Sequence, residues 1–208
     1  MARLVAIVAL LLAVSGCRGQ NTDVASSGSA SGSDAPAEVQ LESFDFGGDF
    51  ELTDHTGAPF KLSDLKGKAV VVFFGYTTCP DVCPLTMSKI ASARHALGPD
   101  GAKVATVFVT VDVEHDTPAV LAGYVKSFDD PLIGLTGTKA QVDAIVQQYR
   151  AAYEITPTQT SALGYQVSHS SYTYLVDPHG QLRHVFRDAD TPDAIASGIR
   201  QVLREGGA

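Results

Sequence analysis

Lys68-Ala69-Val70-Val71-Val72-Phe73-Phe74-Gly75-Tyr76-Thr77-Thr78-Cys79-Pro80-Asp81-Val82-Cys83-Pro84 decides the fold of this chain. Its first half is an unbroken apolar run of β-branched and aromatic residues, which suits a strand covered on both faces. Beyond Pro84, Leu85, Met87, Ile90, Ala91 and Leu97 recur at helical spacing. Two cysteines therefore fall between a buried strand and a helix. In open α/β sheets, ligands bind at that carboxyl end of the strands.

Working outward, Phe50–Thr53 and Phe60–Leu62 flank Asp54-His55-Thr56-Gly57 and read as a hairpin. Lys103–Val111 reads as a second buried strand, and helices are expected over about Pro118–Phe128 and Lys139–Arg150. Tyr172–Val176 and Leu182–Phe186 enclose Asp177-Pro178-His179-Gly180 as another hairpin. A last helix is expected to start at Thr191 as N-cap with Pro192 at its first position, and to end before Gly206-Gly207. The order is hairpin, β-α-β, helices, then β-β-α, with no internal repeat. It predicts an α/β domain, a thioredoxin-like three-layer sandwich with an N-terminal hairpin and an appended β-hairpin.

Residues 1–16 read as a signal peptide, with Arg3 followed by the apolar run Leu4–Val14. That run is shorter than the roughly 20 residues a spanning helix needs. Ala13-Val14-Ser15-Gly16-Cys17 resembles a bacterial lipobox, so Cys17 is the expected lipidation site and link to the membrane. Residues 17–40, rich in Ser, Gly, Ala and Asp, read as the lipidated N-terminus and a flexible linker. A leash of this kind has a reach of roughly 25 Å. Residues 41–208 form the expected domain, held outside the cytoplasm on the periplasmic or equivalent side. Disulfides are chemically permitted there.

Composition sets the outer limits. With 15 Lys+Arg against 23 Asp+Glu, the net charge of −8 argues against a nucleic-acid binder working through a broad basic face. A hydrophobic content of 45% excludes a wholly disordered chain. Three cysteines are too few for a disulfide-built scaffold.

Cys79 and Cys83 carry the chemistry. On a regular helix, residues four apart hold their Cβ atoms about 5–6 Å from each other, whereas an unstrained disulfide wants about 3.8 Å. Each cysteine precedes a proline, which disfavours the helical region. The expectation is a constrained turn, with Cys83 at the cap and Pro84 at the first helical position. Such a turn can close to a redox disulfide or open to hold a metal, and the nearby helix N-terminus favours thiolates. A purely structural bridge enclosing three residues would stabilise little. A thioredoxin-like redox motif has one residue fewer between its cysteines. A peroxiredoxin-like site would need Thr where Tyr76 stands.

Two thiolates are an incomplete soft ligand set, usually completed by imidazole. Of six histidines, His55 and His179 fall in turns, and His95 and His184 on outer faces. His115 follows the second buried strand, and His169 precedes the strand Tyr172–Val176 in a loop that passes the cysteines in a thioredoxin-like fold. Both could come near the site. A loop histidine at 169 would be replaceable without cost to the fold.

The chain resembles the Sco/SenC family of copper-handling proteins across about Phe44 to Leu203. The resemblance is carried by Leu62-Ser63-Asp64-Leu65-Lys66-Gly67-Lys68 and by Phe74-Gly75-Tyr76-Thr77-Thr78-Cys79-Pro80-Asp81-Val82-Cys83-Pro84. Val111-Asp112 with Asp116-Thr117-Pro118, Gly134-Leu135-Thr136-Gly137, and Ser168-His169-Ser170 running into Tyr174-Leu175-Val176-Asp177-Pro178 carry the rest. The resemblance implies a thioredoxin-like fold and copper ligation by Cys79, Cys83 and His169, one ion per chain. It implies delivery of copper to the binuclear copper site of cytochrome c oxidase, or maintenance of that site's thiols. The expected partners are the copper-bearing oxidase subunit, other copper carriers and thiol reductases. Departures stand at Thr78, where the family often has His, and at Val113 and His115, where it has Pro and Arg.

Two thiolates and a neutral imidazole suit Cu(I), while Cu(II) would prefer a further oxygen ligand. Asp112 is the expected outer support for the ligands. No catalytic residue is assigned, because the leading reading is a metal-transfer protein. The alternative is an extracytoplasmic thiol–disulfide oxidoreductase using the same two cysteines.

Overall fold

The computed structural model describes residues 39–207. The signal segment, Cys17 and nearly all of the linker lie outside the described residues. Strands β1 (Glu51–Asp54) and β2 (Pro59–Lys61) form the expected first hairpin. β3 (Ala69–Gly75) follows, buried at every position. It leads into α1 (Val82–His95), and β4 (Val104–Thr110) lies parallel to β3.

After α2 (Pro118–Val125) comes β5 (Leu132–Thr136), parallel to β4, and then α3 (Lys139–Gln148). Among the described residues, β6 (Tyr153–Pro157) and β7 (Tyr165–His169) pair only with each other. β8 (Thr173–Val176), β9 (Leu182–Phe186) and α4 (Pro192–Glu205) close the chain. The main sheet has seven strands in the order β2-β1-β5-β4-β3-β8-β9, with β3, β4 and β5 parallel and the edges antiparallel.

Side chains alternate across a strand, so neighbours on β3 serve different layers. Phe73 meets Phe108 and faces α1, while Phe74 meets Tyr149 and Tyr174 on the other side. A methyl group on Gly134 would touch Leu121 and Val125, and one on Gly198 would touch Phe186 and Leu175. These contacts put α2 and α4 on the face that α1 covers. The end of α3 and the segment leading to β1 cover the opposite face. Tyr149 is fully buried there, its ring against Phe50, Phe74 and Tyr174. Its hydroxyl donates to Gly48 O at 2.7 Å. This is the three-layer sandwich the element order predicts.

Local expectations are met unevenly. Thr191 caps α4, its hydroxyl accepting from Ala194 N, and Pro192 opens the helix. β5 was not among the expected strands; its five residues carry a glycine and follow Pro131. The β6–β7 hairpin was not foreseen either: of its ten residues only Val167 is buried, so no apolar alternation announces it. On α1 the inward residues are Cys83, Thr86, Met87, Ile90 and Ala93, whereas Leu85, expected inward, is 56% exposed.

Tyr149 offers a test of the core. Tyr149→Phe should cost about 1 kcal/mol, the worth of one hydrogen bond. Tyr149→Ala should cost about 3–5 kcal/mol by leaving a cavity between sheet and helix. Urea unfolding followed by circular dichroism separates the two; equal losses would show that the ring is not packed as described.

Candidate metal centre

The end of β3 builds the site. Past Gly75 the chain leaves the sheet, turns through a hydrogen bond from Cys79 N to Tyr76 O (3.2 Å), and enters α1 after Asp81. Contrary to the expected non-helical turn, Cys83 lies inside the first turn of α1, and Pro84 takes the third helical position instead of the first. The first-turn N–H groups of a helix have no intrahelical acceptor, so a proline there loses nothing. Asp81 makes no side-chain cap. The sulfur of Cys79 takes that role, accepting the backbone N–H of Cys83 at 3.4 Å.

Close approach explains the glycine. A methyl group on Gly75 would lie 2.7 Å from Cys83 Sγ and 2.9 Å from the Phe108 ring. Cys83 is fully buried on that spot, while Cys79, half-buried, faces the opening. Both are free thiols.

His169, the last residue of β7, is delivered by pairing with Tyr153 across the small hairpin. Its ring sits edge-on to Phe73 and Tyr76, with centroids 5.7 Å away in both cases. Nδ1 donates to Ser170 O at 3.0 Å, because a carbonyl can only accept. That bond fixes the tautomer and leaves the Nε2 lone pair pointing inward, 3.4 Å from Cys83 Sγ. The sulfurs of Cys79 and Cys83 and a ring nitrogen of His169 all lie within 4.8 Å of one another. His169 is therefore a packed strand residue, not the free loop histidine expected, and its removal also costs packing.

The two sulfurs are unequal. Cys79 is held well below the usual thiol range, first by the hydrogen bond from Cys83 and then by His169 and the N–H groups of Asp81 and Cys83. Cys83 is pushed well above it, first because its S–H serves Cys79 and then by burial. The hydrogen bond between the sulfurs favours the proton on Cys83 and the negative charge on Cys79. Two soft sulfurs and an imidazole make a set that could hold a soft cation. A thiolate beside a thiol could also exchange with disulfides.

The remaining candidates go elsewhere. Asp112 is buried, and its carboxylate accepts the Tyr165 hydroxyl at 2.7 Å. It reaches β7, the strand of His169, but its hydrogen bonds go to none of the three ligand candidates. Asp116 is the carboxylate that grips the cysteine loop, through Thr77, and residue spacing gave no sign of it. His115 pairs with Asp116 at 2.9 Å, away from the sulfurs. Asp112, His115 and Asp116 also converge, yet the Asp116 oxygens are taken up by Thr77, Thr110 and His115. His55 is half-buried, its Nδ1 accepting Gly134 N–H at 3.3 Å, and is not the solvated turn residue expected. His95 and His179 are exposed, and His184 packs edge-on against Phe186.

Comparison with known proteins shows the family. Residues 38–204 match the family model described as SCO1/SenC. Protein SenC of Rhodobacter capsulatus is 43% identical over 155 residues, covering 74% of this chain and 68% of that protein. ScoI of Bradyrhizobium japonicum, solved with copper bound, is 38% identical with a TM-score of 0.68, covering 76% of this chain and 99% of that one. BsSco, described as a member of the Sco family of cytochrome c oxidase assembly proteins, shares the fold at 22% identity and a TM-score of 0.63, covering 79% of this chain and 98% of that one.

The seating of Cys83 is testable. Gly75→Ala should push the sulfur off the sheet, lower stability by about 1–3 kcal/mol as overpacking does, and raise the alkylation rate of Cys83. Unchanged Cys83 protection in a folded variant would show that the close approach is absent.

Proposed function

This chain belongs to the SCO1/SenC family, and on that footing we propose that it binds copper and serves cytochrome c oxidase assembly, with Cys79, Cys83 and His169 as the ligands of one ion. The observation that carries the reading is the convergence of those three ligand atoms within 4.8 Å. Copper-bound ScoI and the naming of the Sco family as oxidase assembly proteins support it.

Three donors suit Cu(I) and leave its coordination incomplete, so a partner can add a ligand and draw the ion away. The half-buried Cys79 sulfur stands at the exposed side of the triangle, where such a partner arrives. Cu(II) would take a further oxygen, with water as the simplest source. The destination we assign is the binuclear site of the copper-bearing oxidase subunit, with other copper carriers or thiol reductases upstream. Cys17 anchors the domain to lipid on the extracytoplasmic side. Among the described residues no helix is long and apolar enough to cross a membrane.

Loading depends on redox state. A bridge between Cys79 and Cys83 removes both thiolates at once, so only the reduced chain takes up copper. The inequality of the two sulfurs also favours a second reading, thiol–disulfide exchange with cysteines of the oxidase subunit. His169 separates the two, since copper needs it and exchange does not.

Protons give one prediction. Cys79 is already a thiolate and Cys83 is not, so each copper bound should release about one proton. Apparent affinity should then rise about tenfold per pH unit near neutrality and fall as pH drops. Calorimetry in buffers of different ionisation enthalpy measures this; release of two protons would show that both thiols start protonated.

His169→Ala gives another. It should cost about 1–2 kcal/mol for the lost ring contacts and weaken copper binding, more for Cu(II) than for Cu(I). In cells with matched protein levels, oxidase copper content should fall. Wild-type copper content in those cells would reject copper delivery and leave thiol exchange as the function.

A further inference from the structure

The loop that carries Cys79 packs on the core through Tyr76 and Cys79 but is tied to the rest of the domain by few hydrogen bonds. Val111 N donates to Gly75 O at 2.8 Å, the last bond that ties this strand end to its neighbour. Beyond it, Thr78, Pro80 and Asp81 are exposed, and the internal turn from Cys79 N to Tyr76 O anchors the loop only to itself. Thr77 is the exception. Its N–H donates to one oxygen of Asp116 at 2.9 Å, and its hydroxyl donates to the other at 2.6 Å.

Asp116 is well placed to hold. It is fully buried, and Thr110 at the end of β4 donates to it at 2.5 Å. The ring of His115 lies 2.9 Å from it. The next residue, Thr117, caps α2 through Val120 N. The carboxylate is thus fixed between a central strand and a helix start, 39 positions along the chain from the residue it grips. Two bonds to two oxygens set both distance and orientation, as a single contact would not.

We propose that Asp116 is a positioning residue for the metal centre, acting through Thr77 to keep the Cys79 sulfur over the start of α1 and within reach of Cys83 and His169. The copper part of this rests on the function proposed above; the positioning part does not. The 3.4 Å bond from Cys83 N to Cys79 Sγ is a single contact to sulfur, a weak acceptor, so the sulfur's place depends also on where the loop is held. Thr77 sits two residues before Cys79, too close for the loop to absorb a shift.

The test uses Thr77→Val, which keeps shape and loses the hydroxyl, and Thr77→Ser, which restores it. Two quantities are read on folded, reduced protein: release of bound copper to a chelator, and alkylation of Cys79 by iodoacetamide in the metal-free chain. Thr77→Val should release copper about tenfold faster, the size of one charge-assisted hydrogen bond. It should also alkylate about threefold faster or more, the sulfur having left its N–H donor, while Thr77→Ser stays within about twofold of the parent in both. Adding Asp116→Asn to Thr77→Val should loosen the loop further, because the backbone N–H of residue 77 still reaches the carboxylate in the single variant. If Asp116→Asn does not fold, the Val and Ser pair still decides.

Thr77→Val matching the parent in both readings would overturn the proposal, as would Thr77→Ser behaving like Thr77→Val. Should the parent chain take up no copper while alkylation still separates Val from Ser, the copper function falls and the positioning role stands.

Discussion

Cys83 Sγ comes so near the backbone at the end of β3 that only a glycine leaves room for it, and the rest of the site is arranged around that seating. The strand beneath is buried along its whole length and paired on both sides, so its end is a rigid point. α1 begins there, and burying Cys83 at its first turn draws the preceding loop over the strand end. Cys79 is thereby left at the mouth, close enough to cap the helix with its sulfur. His169 arrives from a separate hairpin and is steadied by Phe73, a residue of the same strand.

Electrostatics follows from this packing. A buried sulfur resists losing its proton, and a sulfur facing backbone N–H groups loses it readily. The hydrogen bond between the two sulfurs, and then the deeper burial of Cys83, thus push two chemically identical residues in opposite directions. The hydrogen bond from His169 Nδ1 to Ser170 holds the ring so that Nε2 faces the sulfurs. On the proposed function, a metal to be handed on benefits from a site that neither demands much rearrangement nor closes around it.

Much of this was legible in residue order, and the exceptions have physical reasons. β3 and β4 announce themselves because strands buried on both faces are apolar throughout. Thr191-Pro192 marks a helix start because caps are local chemistry. The proline rule failed at Cys83, because burial of its sulfur under α1 outweighs a local backbone preference. β5 and the β6–β7 hairpin were hidden, one being short and glycine-containing, the other mostly exposed. His169 could be named from family likeness, but its tautomer and its aromatic neighbours depend on pairing that no spacing reveals. Asp116 stands in a stretch that reads as a helix start; its grip on Thr77 belongs to the tertiary structure alone.

The central claim is that two sulfurs and one nitrogen of this chain hold copper together. X-ray absorption at the copper edge, on the reduced protein loaded with one equivalent of Cu(I), reads that ligand set directly. Two sulfur scatterers and one imidazole nitrogen are expected, with the nitrogen contribution lost in His169→Ala. A single sulfur, or an imidazole signal that survives the substitution, would contradict the account.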